Sequence, residues 1–319
     1  MKRIAVLTSG GDSAGMNPTL KSIVEESRRD NISVTGFLRG YLGLVKGMAI
    51  EMYYKTVSGA ARRGGTLLKT SRFPEFEKVL IQKQAAAVLQ KNGIDGLIVI
   101  GGDGSLHGAM ALELIGVPVV AIPASIDNDI YGTDIALGVD TSLNTIVRSI
   151  DSIKDTASSH GRAFVIETMG RSSGYLALVG AMATGAEALI IPEVQYDIKG
   201  IAGRLKNEHE RGREYSIIVV AEGTGATAEM SDALKTISKF DTRVTVLGHL
   251  QRGGSPTVFD RMLGFRLGAQ AVKTLLDGIS GVMVGLVGNR IAITSFREVL
   301  AHKKILGERY VEYAKRLAC

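Results

Sequence analysis

Three turns in this chain carry residue types suited to holding a phosphate beside a carboxylate. The first, Thr8-Ser9-Gly10-Gly11-Asp12-Ser13-Ala14-Gly15, follows the apolar run Ile4–Leu7 and precedes a helix-period segment. Glycines there let backbone N–H groups approach an anion, and the helix N-terminus adds partial positive charge. Gly10 and Gly15 have the spacing of a Walker loop, but Met16-Asn17 replaces its Lys-Ser/Thr. Taken alone, the segment reads equally well as a tight turn. The second is Gly101-Gly102-Asp103-Gly104-Ser105, after Leu97–Ile100 and before a helix expected from about Leu106. It suits a phosphate cradle with a metal ligand beside it; the plainer reading is an Asp helix cap. The third, Ser125-Ile126-Asp127-Asn128-Asp129, puts two carboxylates two residues apart beyond a buried run. Such a pair is costly in a partly desolvated cleft unless a metal, a cation or a substrate proton offsets it. Mg²⁺ reconciles the acids with the anion cradle, because it bridges carboxylates and phosphates while keeping several waters. One acid then holds the metal and another accepts a hydroxyl proton, the equipment of phosphoryl transfer.

Basic residues stand near glycines or strand ends further on: Arg162, Gly170-Arg171, Arg243 and His249-Leu250-Gln251-Arg252-Gly253-Gly254. Arg offers a planar fork for phosphate oxygens, although a lone Arg is more often a solvated surface charge. Glu222, at the end of Ser216–Ala221, suits a sugar hydroxyl or a buried ion pair.

The elements that must position these residues are legible as alternating apolar runs and helix-period segments. Strands are expected at Arg3–Thr8, Ser33–Phe37, Leu97–Ile100, Val117–Ile122, Ala163–Thr168, Ala188–Ile191, Ser216–Ala221 and Arg243–Val246. Runs such as Leu97-Ile98-Val99-Ile100 suit strands buried on both faces of a parallel sheet. Val139, Leu143, Ile146, Ile150 and Ile153 mark one helix face, and Ile198, Ile201, Ala202, Leu205 and His209 another. This is the pattern of an α/β protein, whose ligands bind beyond the carboxyl ends of the strands. A length of 319 residues suggests two domains. No linker separates them, which suggests a chain that crosses between domains more than once, near Gly138–Asp140 and again near Gly253–Pro256. The cleft between such domains is a natural ligand site.

Composition narrows the classes. The chain is 45% hydrophobic and 22% charged, near the globular average, and Gly is enriched at 39 residues. The single cysteine, Cys319, excludes a disulfide framework within the chain and a multi-cysteine metal site. No run of apolar residues is long enough for a membrane span, and Ile4–Leu7 is too short for a signal-peptide core, so a cytoplasmic protein is expected. The net charge of +6 is dispersed, Trp is absent and aromatics are 5%, a poor supply for nucleic-acid binding. Anionic small molecules fit the charge better.

Taken in order, LTSGGDSAGMN (Leu7–Asn17), RGGT (Arg63–Thr66), IGGDGS (Ile100–Ser105), SIDNDI (Ser125–Ile130), ETMGR (Glu167–Arg171), VAEG (Val220–Gly223) and VTVLGHLQRGGSP (Val244–Pro256) resemble the bacterial ATP-dependent 6-phosphofructokinase family. The resemblance covers nearly the whole chain. It implies two three-layer α/β domains with mainly parallel sheets and an active site in the interdomain cleft. Residues 1–138, completed by about 252–305, would bind ATP; 139–251, with a C-terminal helix of about 306–319, would bind fructose 6-phosphate. The implied reaction is ATP plus fructose 6-phosphate giving ADP plus fructose 1,6-bisphosphate, with Mg²⁺ as cofactor.

Carried over by motif, Asp127 resembles the base that accepts the sugar 1-hydroxyl proton, and Asp103 and Asp129 the metal residues. Gly11, Tyr41, Arg72, Phe73, Gly102, Asp103, Gly104, Ser105 and Gly108 match the ATP positions. Gly11, Arg72, Arg171 and Ser125 join Asp127 as catalytic positions. The sugar phosphate would meet Ser125, Ile126, Asp127, Met169, Gly170, Arg171, Glu222 and His249-Leu250-Gln251-Arg252. Arg162 and Arg243 would come from a neighbouring subunit of a homotetramer. Pyrophosphate-using relatives tend to have Asp at position 104 and Lys at 124, so Gly104 and Ala124 favour ATP. Ala124 itself departs from the usual Gly of the ATP family, and Ser125 from the usual Thr.

The family's effector site corresponds to Lys21, Glu25, Lys154, Gly185, Glu187, Arg211, Arg213, Glu214 and Tyr215. Position 25 is usually Arg, 214 Lys and 215 His. A carboxylate in place of a cation at residue 25 opposes an anionic effector, so weak or altered allosteric control is expected. The rivals at this point are a pyrophosphate-dependent phosphofructokinase, a non-catalytic sugar-phosphate sensor, and another GGDG-bearing kinase for lipid or NAD.

Overall fold

The computed structural model describes residues 1–318. In chain order it forms β1 (Arg3–Ser9), α1 (Met16–Arg29), β2 (Ser33–Phe37), α2 (Gly40–Val45), β3 (Ala49–Glu51), α3 (Tyr54–Val57), α4 (Val79–Lys91) and β4 (Gly96–Gly101). There follow α5 (Asp103–Leu114), β5 (Val119–Pro123), α6 (Val139–His160), β6 (Ala163–Thr168), α7 (Tyr175–Thr184), β7 (Ala188–Ile190), α8 (Ile198–Glu210) and β8 (Ser216–Ala221). The last are α9 (Thr227–Ala233), β9 (Thr242–Val246), α10 (Val258–Leu276), β10 (Val282–Val287), β11 (Arg290–Ser295), α11 (Phe296–Ala301) and α12 (Glu308–Leu317). The elements gather into two compact units. One holds Met1–Thr141 and Arg252–Lys304; the other holds Ser142–Gln251 and the residues from Ile305 onward.

The first unit is built on a seven-stranded sheet of order β11-β10-β5-β4-β1-β2-β3, parallel except for the antiparallel edge pairs β2–β3 and β10–β11. Its central strands bury both faces, so alternate residues enter different cores. Ile4, Val6, Ile98 and Ile100 pack with α1 and α10, whereas Ala5, Leu7, Leu97 and Val99 pack with Tyr41, Leu89, Leu112 and Phe296. That is a three-layer arrangement. Helices α1 and α10 approach closely because Gly264 and Gly268 face Thr19 and Ser22, where a Cβ would come within 2.8 Å of side-chain atoms. Asp260 ties this corner together. Its carboxylate accepts from Gly138 N–H and Thr141 N–H at 2.8 Å and from Thr141 Oγ1 at 2.5 Å. Burial nonetheless pushes its pKa up, those hydrogen bonds only partly opposing it.

The second unit carries a four-stranded, wholly parallel sheet of order β7-β8-β6-β9. Val165, Ile190, Ile218 and Val220 bury one face against Ile201, Leu205 and Met230. Helix α7 packs against β6 and β8 and meets α6 through Gly180, whose absent side chain leaves room for Ile146.

Both mainly parallel sheets agree with the α/β expectation. Several strand ends differ from the expected ones by a residue or two, and one helix boundary differs by more. Helix α5 begins at Asp103 rather than near Leu106, because Gly102 in extended conformation ends the strand-to-helix turn. Asp103 is therefore the first helical residue and not the cap.

Candidate active site

Adjacent strands β5, β4 and β1 bring the three glycine and acid turns to one edge of the first unit's sheet. The register pairs Ser9 with Gly101 and Gly101 with Pro123, so the chain leaves all three strands at the same level. Thr70 reinforces this edge by donating its hydroxyl to Gly10 O at 2.7 Å, which brings the following Arg72-Phe73 segment beside the first turn. Arg72 is exposed. Gly11 lies against Arg252: a Cβ there would run into the guanidinium.

The acids differ in environment. Asp127 is 4% exposed, whereas the Asp103 side chain is 67% exposed and 3.5 Å from His107 Nδ1. Asp129 is half-buried and accepts from Ser125 Oγ at 3.2 Å. Between the paired acids, Asn128 has a φ of 52°, a left-handed conformation that Asn tolerates better than most residues. Its amide fastens the bend, donating to Asp134 O and accepting from Ala136 N–H, both at 3.1 Å. Sequence reasoning missed Lys304, which donates to Asp134 O at 2.7 Å. Burial lowers its pKa to about 8, against the pull of Asp134 and Asp129. Nothing in His302-Lys303-Lys304 distinguishes it from a solvated basic run.

Gly102, Asp103, Gly104, Ser105 and Gly108 occupy the N-cap and first turns of α5. Tyr41 lies beneath Gly108, donates its hydroxyl to Ser105 O at 2.6 Å and stacks on Phe76 at 4.1 Å, with Phe73 beside that ring. Burial raises the Tyr41 pKa well above its usual value. Tyr41 is thus a buried floor under the turn. Gly104 is exposed, and a Cβ added there would meet nothing within 4 Å.

In the second unit, the register sets Thr168 opposite Ala221 and Glu167 opposite Val246, so Met169-Gly170-Arg171, Glu222 and His249-Leu250-Gln251 leave the same sheet edge. Glu222 Oε1 accepts from Gly170 N–H at 3.2 Å and Arg171 N–H at 3.0 Å, holding Arg171 at a φ of 51° with its side chain exposed. Gln251, buried, accepts from Met169 N–H at 3.1 Å. Arg162 and Arg243 lie at the opposite edge, where Ala163 pairs with Thr242.

Five of the nine residues matching an effector site, Lys21, Glu25, Lys154, Glu187 and Arg213, already have partners within the chain. Lys21 donates to Glu25 at 2.5 Å on α1 of the first unit. In the second unit, Glu187 accepts from Arg213 at 2.9 Å and Ile217 N–H at 2.7 Å, and Arg213 also pairs with Glu208 at 2.8 Å. Lys154 donates to Thr184 O. Arg211, Glu214 and Gly185 are exposed and Tyr215 half-buried at the same end of the sheet.

The sequence profile described as Phosphofructokinase matches residues 3–275. The chain belongs to the phosphofructokinase family. It is 49% identical over 319 residues, the full length of both chains, to an ATP-dependent 6-phosphofructokinase of Thermotoga neapolitana. It is 46% identical, again over the whole of both chains, to one of Bacillus cytotoxicus. A solved phosphofructokinase of Saccharomyces cerevisiae superposes with a TM-score of 0.87 at 36% identity, over 94% of this chain and 45% of the yeast one. Among the described residues of this phosphofructokinase, no helix is long and apolar enough to cross a membrane, and no group of three or more His, Cys, Asp or Glu gathers to hold a metal.

Proposed function

We infer that this chain transfers the γ-phosphoryl group of ATP to the 1-hydroxyl of fructose 6-phosphate, giving ADP and fructose 1,6-bisphosphate. It is a phosphotransferase with an alcohol acceptor and serves glycolysis. The observation that carries the choice of a nucleotide is Gly104. It sits in the first turn of α5, where a Cβ would meet no protein atom within 4 Å, so packing does not require a glycine there. Space kept open at a helix N-terminus, beside Asp103 and level with Asp127, suits a polyphosphate.

In this reading the buried Asp127 takes the proton from the 1-hydroxyl as that oxygen attacks the γ-phosphorus. The bond from phosphorus to the β,γ-bridging oxygen breaks, and ADP departs. Backbone N–H at Gly11, with Arg72 and Arg171, offsets charge on the transferring group. Gly102, Ser105 and Gly108, over the Tyr41 floor and beside Phe73, would seat the nucleotide. Ser125 orients Asp129 through the hydrogen bond between them. Asp103 and Asp129 would hold a divalent cation, Mg²⁺ in this reading; their hard oxygens, without a fuller protein cage, suit an ion that keeps water and phosphate ligands. When bound, the ion neutralises the charge of the polyphosphate. The sugar phosphate is assigned to Ser125, Ile126 and Asp127 and to Met169, Gly170, Arg171, Glu222 and His249-Leu250-Gln251-Arg252.

Arg162 and Arg243 are assigned to the 6-phosphate in a neighbouring subunit of a homotetramer. Their position supports this: from Arg162 to Met169 the chain runs about 23 Å along β6, too far for one phosphate ester to span with the loop at the other end. Edge strand β9 also exposes Val244 at 46% and Val246 at 59%, apolar surface suited to a subunit contact. The same reading puts the enzyme in the cytoplasm. It assigns weak or altered effector control, because Glu25 neutralises Lys21 and Glu187 is occupied by Arg213.

The test is fructose 1,6-bisphosphate formation with Mg·ATP, with pyrophosphate as the alternative donor. Activity with ATP that depends on Asp127 is the expected result. Activity with pyrophosphate alone would overturn the nucleotide, and inactivity with both would favour a sugar-phosphate sensor.

A further inference from the structure

Arg162 and Arg243 share a single carboxylate, that of Asp241. This residue immediately precedes β9, and its backbone carbonyl accepts from Ala163 N–H at 3.1 Å, which fixes it beside the start of β6. Its Oδ2 accepts from Arg162 Nε at 2.6 Å, and its Oδ1 pairs with Arg243 Nη1 at 2.6 Å. The side chains of Arg162, Asp241 and Arg243 are 30%, 48% and 52% exposed. An ion pair this exposed adds little to stability, so the cluster needs another reason. Without the carboxylate, two neighbouring guanidiniums repel and each side chain roams among many rotamers. With it, both are held in one geometry while most of their N–H donors stay available. Arg162 gives the carboxylate only Nε, leaving both terminal nitrogens, and Arg243 gives only Nη1. The trio keeps one net positive charge, two cations less one anion, for an incoming dianion.

Resting on the reading that these arginines take the 6-phosphate, we propose that Asp241 is a positioning residue: it yokes Arg162 and Arg243 into one preorganised receptor for a phosphate monoester dianion and does not itself touch the ligand. Ordering a long side chain on binding costs up to about tenfold in affinity, so losing this preorganisation should raise the KM for fructose 6-phosphate about tenfold. Turnover at saturation and the KM for ATP should stay within about twofold, because neither the reacting groups nor the nucleotide site is involved.

The experiment compares Asp241→Asn, Asp241→Ala and Asp241→Glu in the assembled enzyme, alone and in an Arg162→Ala/Arg243→Ala background, with subunit assembly and Tm measured alongside. The expected result is a raised fructose 6-phosphate KM for Asn and Ala, most of it recovered by Glu, and no added effect of Asp241→Ala once both arginines are gone. A KM unchanged in Asn and Ala while the double-arginine variant is impaired would overturn the role of Asp241 and leave the arginine assignment standing. An Asp241 effect that persists without the arginines would overturn it too, since a merely structural role behaves that way. If removing both arginines leaves the KM unchanged, the assignment beneath the proposal falls first. Should Asp241→Ala fail to assemble, Asp241→Asn, nearly isosteric, carries the same comparison.

Discussion

In the first unit the candidates for chemistry gather at one edge of the sheet, where β1, β4 and β5 end in register. In the second unit they divide: Arg171, Glu222 and His249 leave the carboxyl edge, whereas Arg162, Asp241 and Arg243 stand at the other. A parallel sheet focuses on one ligand the loops that follow its strands. Residues before those strands face a different neighbourhood, which in the proposed reading is a second copy of the chain. The two edges also differ in construction. At the carboxyl edge, Glu222 fixes Gly170 and Arg171 through backbone N–H groups. At the amino edge, Asp241 fixes only side chains. The first arrangement sets a loop; the second tunes affinity.

The largest effect expected is at the first unit's acid loop. Asp127→Ala should lower turnover by roughly 10²–10⁴ while fructose 6-phosphate still binds, as read by steady-state rates and direct binding. A smaller loss would move the base elsewhere on that edge. At the second unit's amino edge, Arg162→Ala or Arg243→Ala should leave turnover at saturation nearly intact and raise the sugar-phosphate KM about ten- to hundredfold, the worth of a hydrogen bond to a charged group. A fall in turnover of the Asp127 size would break the contrast between edges.

Much of this arrangement was legible beforehand, and for a physical reason. A glycine or acid cluster directly after an apolar run marks where a buried strand surfaces, so the turns at Gly10, Gly101 and Asp127 stood out. The start of α5 did not, because Asp103 looked like a cap until Gly102 took that role. Strands β10 and β11 lie outside the strands expected from the sequence, although Gly288-Asn289 separates two apolar runs, the usual mark of a hairpin. Strand β3 is too short to announce itself. Asp241, Asp260 and Lys304 were illegible in a different way. Their partners lie far along the chain, 79 residues in the case of Arg162, and only the fold brings them together.

Two smaller effects sharpen the picture. Gly104→Asp should keep the fold, since a Cβ there meets nothing within 4 Å, yet raise the KM for ATP by about tenfold or more through crowding and repulsion of phosphate. An unchanged KM would remove the nucleotide from that turn. The smallest effect is expected from effectors: titration with phosphoenolpyruvate should inhibit only weakly, because Lys21 is already paired with Glu25. Strong inhibition at sub-millimolar concentration would contradict the self-neutralised site.

The central claim is that one active site draws on two copies of the chain, and complementation tests it directly. Asp127→Ala subunits and Arg162→Ala/Arg243→Ala subunits are co-expressed, the mixed assemblies purified, and activity measured at low fructose 6-phosphate. Sites that combine an intact Asp127 from one copy with intact arginines from the other should recover wild-type behaviour, so the mixed enzyme should exceed the sum of the two parents. Activity equal to that sum, in assemblies shown to contain both chains, would place all three residues in the site of a single copy and contradict the account.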